Sequence, residues 1–126
     1  MSWDSYISDQ LLASGNVQKG AICGLDGSVW AVSDSWGIQA AEAQKLANAF
    51  KDPSVLHMGG IVVAGEKFMF LGGTDEVLRG KKQANGIHIV KTNTAMIIGY
   101  YADPIKHPQC ATTVENLGDY LKSVNY

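Results

Sequence analysis

Between Ile61 and Tyr101 the chain carries five short strand-like runs, Ile61 to Ala64, Lys67 to Leu71, Val77 to Lys82, Ile87 to Lys91 and Ala95 to Tyr101, separated by turn residues such as Gly and Asn. That spacing constrains the fold more than any other feature. A parallel strand pair needs a crossover of a dozen or more residues, and none of these gaps has room for one. Neighbouring runs must therefore pair antiparallel. A sheet built this way still has two faces, and the apolar side chains on them have to be covered by other parts of the chain.

The remaining segments supply that cover. Ser2 stands as an N-cap with Asp4 in the first turn. Trp3, Tyr6, Ile7 and Leu11 then recur at helical spacing until Gly15, which predicts a helix over about residues 3 to 13. From Ala40 to Phe50 the stretch AAEAQKLANAF is rich in helix formers, with Ala43, Leu46, Ala47 and Phe50 on one stripe and Pro53 just beyond. A further helix is predicted over CATTVENLGDYLKSV, where Val114, Leu117, Tyr120, Leu121 and Val124 recur at spacings of three and four. Gly118 costs that helix about 1 kcal/mol relative to alanine, so a close packing contact is expected there. Between the first two helices, AICGL and SVWAV flank Asp26-Gly27 and read as a β-hairpin with a two-residue turn, which puts Trp30 in its second strand. Trp36, in the loop that follows, is expected to anchor that loop. The expected architecture is one domain over residues 1–126, an α/β fold of the α+β type, with a central, mostly antiparallel sheet of six to seven strands and helices on both faces.

Composition narrows the class. Apolar residues make up 46% and charged ones 17%, with no apolar run near the roughly 18 residues of a membrane span, so a soluble globular protein is expected. The opening MSWDSY has an acid where a secretory signal carries basic residues, and no apolar core follows, which points to the cytoplasm. A net charge of −2 argues against a general attraction to nucleic acid. Cys23 and Cys110 stand far apart and outside any CxxC pattern. They are expected to be buried thiols, with neither a disulfide framework nor a zinc site.

Motifs for chemistry are missing. There is no GxGxxG, and Gly80-Lys81-Lys82 lacks both the earlier Gly and the later Ser or Thr of a phosphate loop. His57, His88 and His107 show no metal-ligand spacing and no GxSxG elbow occurs, so they are expected to be isolated structural or surface histidines. No cofactor is implied.

Two constellations remain. Trp3 and Tyr6 lie near one end of the chain, and Tyr120 and Tyr126 near the other, where chains usually fray. They either pack the helices or, if the terminal helices lie side by side, line a shallow groove with Trp30 as its floor. Such a groove suits a polyproline II helix, whose preformed shape lowers the ordering cost of binding. Arg79 and Lys81 alternate on one strand face, joined by Lys82, by Lys91 on the next strand and by Lys67 on the preceding one. That basic strip is either a solvated sheet face or a site for an acidic protein surface or phosphoinositide head groups.

The segments MSWDSY, SVWA, KFMF, LRGKKQANGIHIVKT, AMIIGYY and ENLGDYLKSVNY, in this order and over most of the chain, resemble the profilin family. The resemblance implies a mixed antiparallel sheet with the terminal helices on one side and shorter helices on the other. It implies binding of monomeric actin, binding of proline-rich proteins such as formin-type assembly factors, and regulation by phosphatidylinositol bisphosphate at the membrane surface, by a monomeric protein that is not an enzyme. Carried over by position, the polyproline site falls on Trp3, Tyr6, Trp30, Tyr120, Leu121 and Tyr126. The actin surface falls on Lys67, Arg79, Lys81, Lys91, Ala111, Thr112 and Asn116, and the phosphoinositide site on Arg79, Lys81 and Lys82. The chain departs from the pattern at Tyr120, where some relatives carry His, at Gly72, where many place Arg, and at Asn116, where some have Glu.

Three other readings stand beside this one. A profilin-fold module could keep the proline-rich site without binding actin. A PAS- or GAF-like sensor would need a roomy apolar cavity, and a hydrolase with dispersed groups would need a nucleophile beside a histidine.

Overall fold

The computed structural model describes residues 3–33 and 35–126; Ser2, read as an N-cap, lies outside the described residues. Seven strands form one sheet in the order β2-β1-β7-β6-β5-β4-β3. The strands are β1 (Lys19–Gly24), β2 (Val29–Val32), β3 (Ile61–Val63), β4 (Glu66–Gly73), β5 (Val77–Lys82), β6 (Asn85–Lys91) and β7 (Ala95–Tyr101). Every pairing is antiparallel, as the short connections require.

Strand β7 lies at the junction of the hairpin and the meander, between β1 and β6, and all its residues are buried. Its alternation splits the core into two layers. Ala95 and Ile97 pack with Ile22 and Val90 under the N-terminal segment and the last helix, α4 (His107–Ser123). Met96, Ile98 and Tyr100 pack with Phe68, Leu78, Ile87 and Ile89 under α2 (Ala40–Ala49) and α3 (Leu56–Gly59). The terminal helices therefore share one face and the shorter helices the other. Trp36 is buried in the second layer, its ring 6.2 Å from that of Tyr100, and anchors its loop as expected.

Where the elements depart from expectation, the backbone gives the reason. The N-terminal segment is not one α-helix. A single turn α1 (Trp3–Ser5) widens into a π-helical stretch (Tyr6–Leu11) and tightens into a 3-10 turn (Leu12–Ser14), ended by Gly15 at φ 76°. Ile7 and Leu11 reach the core through this wider winding, and their four-residue spacing did not distinguish it from an α-helix. Strand β3 stops at Val63 because Ala64 and Gly65 both take positive φ, 53° and 76°, forming the turn into β4. The Glu42 carboxylate of α2 accepts from both of their N–H groups, at 2.9 and 2.8 Å, and so ties that turn to the helix. The β1–β2 connection is longer than two residues, and only Gly27 in it has positive φ, at 92°. Helix α4 begins three residues before Cys110, since Pro108 is tolerated in a first turn and the Gln109 side chain accepts from the Lys106 N–H at 2.8 Å.

Gly118 meets its expectation: a Cβ added there would lie 2.9 Å from Val90 Cγ1, so its absence lets α4 settle on β6. Cys23 and Cys110 are buried free thiols, each pushed up to about 12 by desolvation. Among the described residues no helix is long and apolar enough to cross a membrane.

Candidate functional site

The N-terminal segment and α4 lie side by side, and Ile7, Leu11, Leu117 and Leu121 fill the seam between them. This seam fixes where the aromatic residues can go. With Ile7 turned inward, Trp3 and Tyr6 remain half-buried at the surface, their ring centroids 5.5 Å apart. With Leu117 and Leu121 inward, Tyr120 points out and meets Tyr6 at 6.1 Å. Strand β2 brings Trp30 to 4.8 Å from Trp3, and the end of the chain brings Tyr126 edge-on to Trp3 at 5.0 Å. Five rings from three separate segments thus form one continuous surface, with Tyr120 and Tyr126 50% and 45% exposed.

The polar edges of this surface are specific. The Trp30 indole N–H donates to Ser28 Oγ at 3.0 Å, and Ser28 in turn donates to Asp26 at 2.5 Å, so this N–H is committed within the protein. Among the described residues the Trp3 indole N–H has no such partner. The Tyr6 phenol is pushed above its ordinary value first by desolvation, then by hydrogen bonding to Tyr120 and the neighbouring phenol charges, and so stays protonated as a donor. Leu121, assigned to the same surface, is fully buried beneath it. It cannot touch a ligand, but its carbonyl accepts from the Tyr126 N–H at 2.8 Å. Next to Tyr120, a solvent-open cleft of about 290 Å³ is lined by Gln10, Thr113, Asn116 and Leu117.

The basic residues do not form one strip. Strand alternation puts Arg79 and Lys81 on the face opposite Leu78, beyond the cover of α4, and Lys67 alternates with Phe68 to the same side. The exposed side chains of Met69 and Leu71 stand with them. Lys82 falls on the other face, where it pairs with Glu66 at 3.1 Å, although at the end of β5 it shares a cleft with Lys67 and Lys81. Lys91 also points away from α4, because its neighbour Val90 packs beneath that helix. On α4, Thr112 and Asn116 are exposed, but Ala111 is buried, and Asn116 lines the cleft beside Tyr120.

Gly72 sits at a bulge in β4 opposite Arg79 with φ 138°. A side chain there would strain the backbone, so this bulge has no easy place for an arginine.

His88 and His107 are not isolated. His88 Nε2 lies 2.9 Å from Glu115 Oε2, and His88 Nδ1 lies 3.3 Å from His107 Nε2. A carboxylate only accepts, so Nε2 of His88 carries the proton and its Nδ1 accepts from His107. Burial lowers the affinity of both rings for a second proton, against the opposing pull of Glu115 and with added repulsion from Arg79. These two rings, Arg79 and Glu115 line one small cleft. Among the described residues no hydroxyl or thiol hydrogen-bonds to either histidine, and no group of three or more His, Cys, Asp or Glu side chains is placed to hold a metal ion. Sequence spacing did not reveal this chain of contacts, because His88 lies on β6 and its partners His107 and Glu115, 19 and 27 positions away, on α4.

The whole chain, residues 1–126, matches the family model described as Profilin. It is 47% identical over 121 residues to the profilin of Branchiostoma belcheri, covering 96% of both chains, and 42% identical over 126 residues to that of Bombyx mori, covering 100% of both. Its fold superposes on the crystal structure of Acanthamoeba castellanii profilin II with a TM-score of 0.96 at 36% identity, over 99% of this chain and 100% of that one. Sequence, sheet order and helix placement agree over the full length, and the chain belongs to the profilin family.

Proposed function

We propose that this protein binds monomeric actin on one surface and proline-rich segments of actin assembly factors, such as formins, on another, in the cytoplasm and without chemistry of its own. The observation that carries the reading is the convergence of Trp3, Tyr6, Trp30, Tyr120 and Tyr126 into one exposed aromatic surface. Large rings half in water are costly to keep unless they bind something. A polyproline II helix offers flat proline faces for the rings and bare carbonyls for the Trp3 indole and the Tyr phenols. Mouse profilin IIa, at 17% identity a neighbour in fold alone, is known in complex with a double repeat from the FH1 domain of mDia1.

The actin surface is the open sheet face carrying Lys67, Arg79 and Lys81 around Met69 and Leu71, bordered on α4 by Glu115, while the exposed Thr112 and Asn116 would join it only if the partner reached over that helix. Exposed apolar side chains ringed by like charges suit a protein partner with an acidic rim. Arg79 and Lys81 on this face would also take the head group of phosphatidylinositol bisphosphate, which would then compete with actin. Lys82 and Lys91, on the other face, contribute only if the partner wraps the sheet edge. Joining the two surfaces in one small protein raises the effective concentration of actin beside its assembly factor.

The test is a titration of tryptophan fluorescence with polyproline, beside sedimentation of monomeric actin in the presence of the protein. A response in both supports the reading, and no response to polyproline overturns it. A response to polyproline with actin unaffected would favour a second reading, a module for proline-rich ligands alone, for which the glycine bulge at Gly72 and Asn116 speak.

A further inference from the structure

Tyr126 is held in the aromatic surface by its main chain more than by its ring. Helix α4 ends at Ser123 with Val124 as its C-cap, and Asn125 follows in the left-handed conformation at φ 71°. The Asn125 N–H donates to the Lys122 carbonyl at 3.1 Å and the Tyr126 N–H to the Leu121 carbonyl at 2.8 Å, the paired bonds of a Schellman motif. This reversal directs Tyr126 off the helix toward the turn between β6 and β7. There its main-chain oxygen meets three donors: the Thr94 N–H at 2.6 Å, the Thr92 hydroxyl at 2.7 Å and the Thr94 hydroxyl at 2.9 Å. Thr92 is only 3% exposed, and its hydroxyl oxygen is itself fixed by accepting from the Ala95 N–H at 3.1 Å. The clamp is therefore attached to the buried strand β7.

Such a clamp is needed. A residue at this position has one ring contact of note, with Trp3 at 5.0 Å, and a single aromatic pair gains no more than ordering one backbone unit costs. Without the hydrogen bonds, Tyr126 would leave the surface and Trp3 would lose its wall. We propose that Asn125, Thr92 and Thr94 are positioning residues of the proline-rich site. They hold Tyr126 in its binding position before a ligand arrives, so affinity depends on them although none of them faces the ligand. The inference rests on the proline-rich reading of the aromatic surface given above.

The test compares native protein with Thr92→Val, Thr92→Ser, Asn125→Val and Asn125→Gly, titrated with a ten-residue polyproline peptide by tryptophan fluorescence. Valine at 92 keeps the shape and removes the hydroxyl, and serine restores it. Valine at 125 disfavours the left-handed conformation, and glycine adopts it freely. Loss of preorganisation should weaken binding by about three- to tenfold in both valine variants, while serine and glycine stay within about twofold of native. Near-ultraviolet circular dichroism of the free proteins should change in the valine variants alone, as Trp3 loses its fixed neighbour. Native affinity in both valine variants would overturn the positioning role and leave the binding reading intact. So would an equal loss in the serine and glycine variants. Failure of native protein to bind would overturn both. Asn125 lies at the exposed end of the chain, so its pair of variants decides the matter even if Thr92→Val does not fold.

Discussion

Tyr126 stands edge-on to Trp3, with ring centroids 5.0 Å apart and planes at 86°, so the two ends of the chain meet in one aromatic contact. An edge-to-face pair of this kind contributes about 0.5–1.5 kcal/mol beyond its buried area. Trp3 also touches Tyr6 and Trp30, which makes it the centre of the surface.

Trp3→Ala should therefore remove the middle of the site. Central aromatic anchors commonly cost about 2 kcal/mol or more when truncated, so polyproline affinity should fall by at least about tenfold. Isothermal titration would record this. Actin binding should be unchanged, and an equal loss of both activities would mean that the substitution had disturbed the fold.

Reversing charge on the open sheet face should act on the other partner. Arg79→Glu with Lys81→Glu is expected to weaken actin binding by on the order of tenfold, mainly through slower association, and to flatten its dependence on salt. Lys82→Glu should do much less, because Lys82 lies on the opposite face beside Glu66. Stopped-flow association of Arg79→Glu, Lys81→Glu and Lys82→Glu, made singly as well, at two salt concentrations separates these outcomes, and equal effects of the three single variants would speak against a face-specific site.

Acid should destabilise the protein through His88 and His107. Their folded pKa values lie below the ordinary 6.5, chiefly from desolvation, so the unfolded chain binds more protons and stability rises with pH. The stabilisation is complete above about pH 6.5 and declines as pH drops below it toward the folded values. Urea midpoints measured from about pH 7 down to about pH 5 should fall more in native protein than in His88→Gln. Parallel curves would assign the loss to other groups.

The two thiols should be silent in the folded state. Cys23 and Cys110 are buried, with thiol pKa values pushed up to about 12, so neither offers a thiolate at neutral pH. A disulfide reagent should find no reactive thiol in native protein and two after denaturation. Rapid labelling without denaturant would contradict the packing around β1 and α4.

Gly118→Ala tests the helix-to-sheet contact. Helix propensity favours alanine by about 1 kcal/mol, whereas pressing a methyl group against the stiff side chain of Val90 costs about 1–3 kcal/mol. The net effect should be a modest loss of thermal stability, read by calorimetry, and a clear gain would show that α4 can move outward freely.

Much of this protein was determined by its sequence alone. The gaps between the strand runs imposed antiparallel pairing, and the spacing of Val114, Leu117 and Leu121 placed α4 on the sheet. Trp3, Tyr6, Tyr120 and Tyr126 could be singled out because large aromatic residues near chain ends are unusual, but spacing left open whether they pack the helices or line a groove over Trp30, and the family resemblance alone pointed to the groove. Local periodicity reports which way a side chain leans from its own helix or strand and nothing beyond that. It could not show that Leu121 lies under the aromatic surface, or that Lys91 points away from Arg79 and Lys81 once the strands are registered, whereas the turn of Lys82 to the other face already follows from alternation within β5. Contacts such as His88 with Glu115 and Thr92 with Tyr126 join residues 27 and 34 positions apart. Only the tertiary structure decides such contacts, because each depends on how two elements distant in sequence pack, and that is set by the whole core.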